Sequence, residues 1–221
     1  MSINPQAYLT IKENGSNEIV IKKSRFICNL ARTEDVNAAQ KFIETITKKY
    51  HDATHNTYAY TLGLNDNQVK ASDNGEPSGT AGIPELKALQ LMNLKNVTAV
   101  VTRYFGGTKL GAGGLIRAYS NSVTEAAEKI GVVRCSLQQE LNFTIGYSNV
   151  DSVNHFLQQE NIAIVDQTYG TDVTYTIFLD IEKIDDFQKK LTNFLSGNVS
   201  FKLGEQRFNE TLLKNNNFHE Q

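Results

Sequence analysis

The sequence predicts an α+β fold in two domains, and three observations carry that expectation. Strand-like and helix-like periodicities alternate along 221 residues, a length that suits two ordinary domains. The charge changes sign along the chain: sixteen Lys and Arg stand against twelve Asp and Glu through Arg134, a net of +4, and six against twelve after it, a net of −6. The pattern also restarts after Arg134 in an order that spells βαββαβ, that of a ferredoxin-like split sandwich.

Residues 8–13 and 18–21 read as an opening pair of strands turning at Asn14 and Gly15, and KKSRFICNLA continues as strand. Thr33 is the expected N-cap of an amphipathic helix with Val36, Ala39, Ile43, Ile46 and Tyr50 on one face and Glu34 and Asp35 at its positive end. Residues 57–64 read as strand, DNGEPSG (73–79) as a turn-rich loop, and Pro84 as the first turn of a helix to about Asn93. Residues 97–105 form a buried strand. A helix beginning near Gly113 or Gly114 and ending at Gly131 spaces Ile116, Tyr119, Val123, Ala127 and Ile130 along one face.

In the second half, Leu141, Phe143, Ile145 and Tyr147 alternate as a half-buried strand and residues 150–160 are helical. Residues 162–168 and 172–180 form a hairpin around Gly170 and Thr171, followed by a helix over 184–195 and a last strand over 199–205. The expected domains are 1–134 and 135–207, with a frayed tail over 208–221. They should meet between Gly131 and Glu140 without sharing a sheet, the second being a four-stranded antiparallel sheet under two helices.

Composition bounds the function. No run of eighteen apolar residues appears and the N-terminus lacks a basic, then apolar, leader, so a soluble cytoplasmic protein without membrane partners is expected. Cys28 and Cys135 are isolated, which suits a reducing compartment and two small buried hydrophobes rather than a disulfide framework or structural zinc.

The densest chemistry lies in TRYFGGTKLGAGGLIRAY, residues 102–119. Gly106, Gly107, Gly111, Gly113 and Gly114 link a strand to a helix, flanked by Arg103, Lys109 and Arg117. Glycine loses the most backbone freedom on folding, so such a cluster implies tight turns or close backbone approach. Free amides and a positive dipole end beside basic side chains favour an anion, a phosphate above all. The other reading is a crowded structural turn whose Tyr104, Phe105, Leu110 and Leu115 cover the core, and the residues leave both open. Neither the P-loop nor the dinucleotide fingerprint is met, which argues against a nucleotide hydrolase.

HDATH places His51 and His55 four apart but has Asp52 where a zinc protease has Glu, at the end of a helical pattern. No metal is expected, and His55 is read as a hydrogen-bonding residue lining a cleft. The loop SDNGEPSGT offers Ser72, Asp73 and Glu76, which suit either acid–base work or turn formation. Lys22, Lys23 and Arg25 add a small basic cluster.

Assembled in order, KKSRFI, ATHNTYAY, ASDNGEPSGTAGIP and RYFGGTKLGAGGLIRAY resemble the YigZ/IMPACT family over nearly the whole chain, in its two-domain bacterial form. The resemblance implies an N-terminal domain like the second domain of a small-subunit ribosomal protein and a C-terminal domain like the last domain of elongation factor G. It also implies an association with the control of translation. The usual SDDGEP of the family is SDNGEP here, so Asn74 weakens any scheme needing adjacent carboxylates.

The leading expectation is a translation-associated protein that binds RNA or the ribosome through a basic cleft. Its residues are Lys23, Arg25, His55, Arg103, Gly106, Gly107, Lys109, Gly111, Gly113, Gly114 and Arg117, with Ser72, Asp73 and Glu76 on a cleft loop. A translation-related protein partner is a further expectation; no catalytic residue or cofactor is assigned, and the oligomeric state stays open. The alternatives are a small enzyme acting on a phosphorylated ligand at the glycine loop, and a protein-interaction module that touches no nucleic acid.

Overall fold

A computed structural model describes residues 7–213. The chain forms two compact units, one comprising residues up to Cys135 with the chain from Glu210 onward, the other Ser136–Asn209. Both mix strands and helices, an α+β fold.

The first unit is built on the sheet order β2-β3-β6-β4-β5, antiparallel throughout, from β2 (Gly15–Ile21), β3 (Ser24–Arg32), β4 (His55–Leu62), β5 (Gln68–Ser72) and β6 (Val97–Tyr104). Helix α1 (Val36–Lys49) covers one face over Tyr60 and Leu62. Helices α2 (Gly82–Leu91) and α3 (Ala112–Ile130) cover the other, over Phe26, Cys28, Ala99 and Val101. Central β6 is therefore buried on both faces, every residue from Val97 to Arg103 being buried.

Two local expectations are corrected and one strand was not foreseen. Strand β1 (Ala7–Ile11) is no hairpin partner of β2; it lies in the other sheet, beside β7. Asp35 rather than Thr33 caps α1, its Oδ1 accepting from the Ala38 amide at 2.8 Å, because the Thr33 hydroxyl is buried against that of Thr98 at 2.6 Å. Edge strand β5 carried no sequence signal, being polar and only five residues long. The β2–β3 turn is the pair Lys22 and Lys23, both at positive φ (47° and 68°), a two-residue hairpin geometry that glycine or asparagine adopts more cheaply.

The second unit runs β7 (Val132–Ile145), α4 (Val150–Gln159), β8 (Ile164–Tyr169), β9 (Val173–Asp180), α5 (Ile184–Phe194) and β10 (Ser200–Leu212). Its strands order as β10-β7-β9-β8, the split βαββαβ arrangement expected. The core joins Leu141, Phe143, Val173, Tyr175 and Ile177 to Leu157, Phe187 and Leu191 of the helices. Phe143 stacks on Tyr175 with ring centroids 5.0 Å apart. Two expectations fail at its ends. Strand β7 begins at Val132 and passes from the first unit into the second, so a single hydrogen-bonded path, β1-β7-β9-β8, contains strands of both halves where separate sheets were expected. Strand β10 occupies residues 208–212 of the expected tail; residues 214–221 lie outside the described ones. Among the described residues no helix is long and apolar enough to cross a membrane.

Candidate functional site

Sheet register builds the site. Phe26 on β3, Arg103 on β6 and His55 on β4 are paired in one row across three neighbouring strands, on the face covered by α2 and α3. Side chains opposite one another on adjacent strands project to the same face, so the row brings a ring, a guanidinium and an imidazole together. Arg103 sits 5.4 Å from the Phe26 ring centroid and 5.6 Å from that of Phe105. Its Nη1 donates to Glu76 Oε1 at 2.5 Å, and the Tyr119 hydroxyl of α3 donates to the same oxygen at 2.7 Å. His55 Nε2 stands 4.0 Å from it.

Arg103 and Glu76 are only 6% and 7% exposed, so each compensates the other's desolvation. Burial, reinforced by the Glu76 charge, pushes the Tyr119 hydroxyl far above the usual phenol range and keeps it a donor. Arg103 Nε is buried without a hydrogen-bond partner.

The SDNGEPSG loop places Glu76. Asp73 Oδ1 accepts the amides of Ala81 and Gly82, each at 3.0 Å, and its Oδ2 accepts that of Gly79 at 2.7 Å, tying the loop to the start of α2. Burial raises the Asp73 pKa, but the three amides outweigh it and hold the carboxyl below its ordinary value. Asn74 donates from Nδ2 to the Asn56 carbonyl at 2.7 Å, and its own carbonyl lies 3.2 Å from His55 Nδ1. A carbonyl only accepts, so this contact puts a proton on Nδ1 and directs Nε2 toward Glu76.

The glycine loop closes the other side. A Cβ at Gly106 would lie 2.0 Å from the Lys23 carbonyl carbon, so only glycine lets the loop pass the Lys22–Lys23 turn this closely. Gly111, at φ 74°, precedes α3 with no side-chain cap, leaving the first-turn amides without a side-chain acceptor at the positive end of a 19-residue helix. Between this helix start and the Arg103 row lies a pocket of about 420 Å³, lined by Thr54, His55, Glu76, Pro77, Arg103, Phe105, Lys109, Leu110, Gly111, Ala112 and Leu115. That volume falls in the range of small-molecule sites, about 300–1,000 Å³, and the lining is apolar around a few convergent polar groups.

Of the residues expected from sequence, His55, Glu76, Arg103, Lys109 and Gly111 share the pocket. The others serve differently. Arg25 makes a two-pronged ion pair with Glu18, at 2.8 and 2.9 Å, and lies over Tyr104. Asp73 is consumed by backbone amides, and Ser72 ends β5. Lys23 is one of the two turn residues beneath Gly106. Gly107 lies in the loop, Gly113 and Gly114 fall within the first turn of α3, and Arg117 Nε folds back to the Gly113 carbonyl at 3.3 Å. A Cβ at Gly113 would meet nothing within 4 Å. Sequence reasoning missed the Tyr119 hydroxyl as a partner of Glu76. It read Phe105, Leu110 and Leu115 only as core cover; their place around the glycine loop was the one signal that they line a pocket.

Among the described residues no group of three or more His, Cys, Asp or Glu is arranged to hold a metal ion. Cys28, on β3, is wholly buried in the core between the sheet and α2 and α3, and burial, helped by Glu85, pushes its thiol well up, so it stays protonated.

Two family models match: the Impact N-terminal domain over residues 22–127, which contains the whole pocket, and a domain of unknown function, DUF1949, over residues 143–198. The chain is 43% identical over 204 residues to IMPACT family member YvyE of Bacillus subtilis, covering 92% of this chain and 94% of that one. It is 36% identical over 197 residues to IMPACT family member YigZ of Escherichia coli, covering 88% and 94%. A crystal structure described as that of a hypothetical protein superposes with a TM-score of 0.57 at 32% identity, covering 91% of this chain and 98% of the other.

Proposed function

The chain belongs to the IMPACT family, and from that premise we propose that it is a translation-associated regulatory protein that binds RNA, free or within the ribosome, through the pocket of its N-terminal unit. One arrangement carries the reading. Exposed Lys109 and the uncapped start of α3 form a cationic rim beside Phe105, which is 48% exposed, at the mouth of a pocket large enough for one nucleotide. A phosphate on the rim and a base against the ring is the economical use of such neighbours, since stacking on an aromatic face tolerates any base and the charge tracks the backbone.

The interaction is expected to be weak and sensitive to salt. Arg103 is already neutralised by Glu76 and Arg25 by Glu18, which leaves Lys109 and the helix start as the main attraction. Titration of the full chain with a labelled single-stranded RNA at two ionic strengths should show affinity falling as salt rises, and Lys109→Gln should lower both the affinity and, by about 0.7, the salt slope. Affinity indifferent to salt and to Lys109→Gln would overturn the reading.

A second reading has its own observation: His55 Nε2 and Glu76 Oε1 lie 4.0 Å apart in a small pocket, as acid–base groups would in an enzyme for a phosphorylated metabolite. Thermal stabilisation by such a metabolite, lost in Leu110→Trp and in a still-folded His55→Ala protein, would favour it over RNA.

A further inference from the structure

Glu76 has an asymmetry that ion pairing alone does not use. Arg103 and Tyr119 both donate to Oε1, with His55 Nε2 4.0 Å from that oxygen, while neither donates to Oε2, and Glu76 lines the pocket. A second acceptor in a mostly apolar pocket suits a ligand that brings a hydrogen-bond donor together with a flat apolar body. Phe105, Leu110 and Leu115 supply apolar walls for that body. Lys109 and the α3 amides stand at the rim, where an attached anion would lie.

An unstacked nucleobase on its phosphate meets all three conditions. We propose that the pocket reads one unpaired RNA base, with Glu76 Oε2 accepting from the amine on its Watson–Crick edge, Phe105 and the leucines flanking the ring, and the phosphate held outside by Lys109. Guanine is favoured, because its N1–H and N2–H stand side by side, so the donor that meets Oε2 has a second donor beside it rather than an acceptor. Adenine and cytosine offer an amine beside a ring nitrogen that only accepts. Uracil is disfavoured, since its single N3–H lies between two carbonyl oxygens that the carboxylate repels. Glu76 is thus the residue that determines base preference, and Lys109 contributes affinity without sequence information.

This inference rests on the RNA-binding reading, and the experiment separates the two. The full chain is titrated with a heptauridine and with heptamers carrying one central G, A or C, so that a single base changes. The G oligomer should bind about tenfold more tightly than heptauridine, as one hydrogen bond to a charged acceptor implies, with A and C between. Lys109→Gln should weaken all four alike. Glu76→Gln keeps a carbonyl for Arg103 and Tyr119 but presents an amide N–H₂ to the pocket, so preference should turn toward uracil, whose carbonyls now accept. Should that variant fail to fold, Leu110→Trp decides: by filling the space of the base it should bring the four oligomers to equal affinity while the salt dependence remains. Equal affinities in the wild-type protein, with the Lys109→Gln loss intact, would overturn base reading and leave RNA binding standing. Binding of none of the four would overturn both.

Discussion

The two units treat polar groups in opposite ways. The N-terminal one buries Glu76, Glu85, Lys95 and Arg103; in the C-terminal one no charged residue is buried among those described, and its core is aliphatic and aromatic. Backbone strain divides similarly, with Lys22, Lys23, Asp66, Asn74, Asn93 and Asn96 at positive φ in the first unit but only Asn161 and Ser196 in the second. Buried charge and left-handed backbone cost stability, and three of those costs, Glu76, Arg103 and Asn74, converge on the pocket. The core of the C-terminal unit carries no buried charge and is held by apolar packing.

The sharpest test sets one residue of each unit against the other. Arg103→Met leaves the Glu76 carboxylate buried and uncompensated, and should destabilise the N-terminal unit by about 3–5 kcal/mol. Phe143→Ala removes a fully buried ring from the stack with Tyr175 and should cost the C-terminal unit a similar amount, about 3–5 kcal/mol. The two losses should differ in consequence. Because the chain has no tryptophan, amide hydrogen exchange is the natural probe, and it assigns each loss to its own unit. RNA binding should vanish in Arg103→Met and persist in the folded fraction of Phe143→Ala. Arg103→Met protein with wild-type exchange rates would show that the buried pair is not what separates the units.

A smaller effect isolates a buried carboxyl away from the pocket. Glu85, on the buried face of α2, is wholly buried and accepts from the Thr57 hydroxyl, and its other oxygen has no partner. Burial pushes its pKa well above the usual carboxylate value; the Thr57 bond lowers it in part, and the Asp73 charge adds to the rise. The folded state therefore holds a proton that the unfolded state releases above about pH 4.3, the ordinary Glu value. Between that pH and the raised value the unfolded chain binds fewer protons, so stability falls with rising pH, by about 1.4 kcal/mol per unit while the full difference lasts. Its contribution is complete below the ordinary value and is lost as pH climbs through the raised one. Glu85→Gln should flatten this slope and gain on the wild type as pH rises above the ordinary carboxylate value, measured as protection of the N-terminal unit. Parallel curves for the two proteins would remove Glu85 from the comparison.

How much of this was legible in sequence follows the distance over which each cause acts. Helix α5, the β8–β9 hairpin and the βαββαβ order of the second unit depend on local periodicity, and their positions agree with the sequence reading to within a few residues. The N-cap at Asp35 was missed because Thr33 has an equally good hydroxyl, and only the neighbouring β6 strand decides that it is buried against Thr98. The pocket was half visible. Glycines and cations around residues 103–114 marked where it lies, but the partner of Arg103 is a carboxylate 27 residues earlier, brought in by a loop whose shape depends on Asp73 gripping three amides. The partner of Arg25 was hidden for a related reason: its pairing with Glu18 is set by the β2–β3 register, invisible in a list of charges.

Arg25 gives the smallest and most discriminating effect. It belongs to the basic set expected to touch RNA, yet both prongs of its guanidinium are occupied by Glu18 on the exposed sheet edge, and it does not line the pocket. The hydrogen bonds to Glu18 raise its pKa, which keeps it charged, but an exposed ion pair is screened by salt and adds little to stability. Lys190, paired with Glu160 at 3.3 Å and Asp186 at 3.1 Å, is its counterpart on the C-terminal unit. Arg25→Gln and Lys190→Gln should therefore behave alike, each leaving the melting temperature within error of the wild type and the RNA affinity nearly unchanged at physiological salt. The contrast with Lys109→Gln is the measurement that matters, since all three variants remove one positive charge and differ only in where it stood. If Arg25→Gln weakened RNA binding as much as Lys109→Gln, the protein would be responding to its overall basic charge rather than to a pocket, and the division between a costly binding unit and a purely packed one would lose its functional meaning.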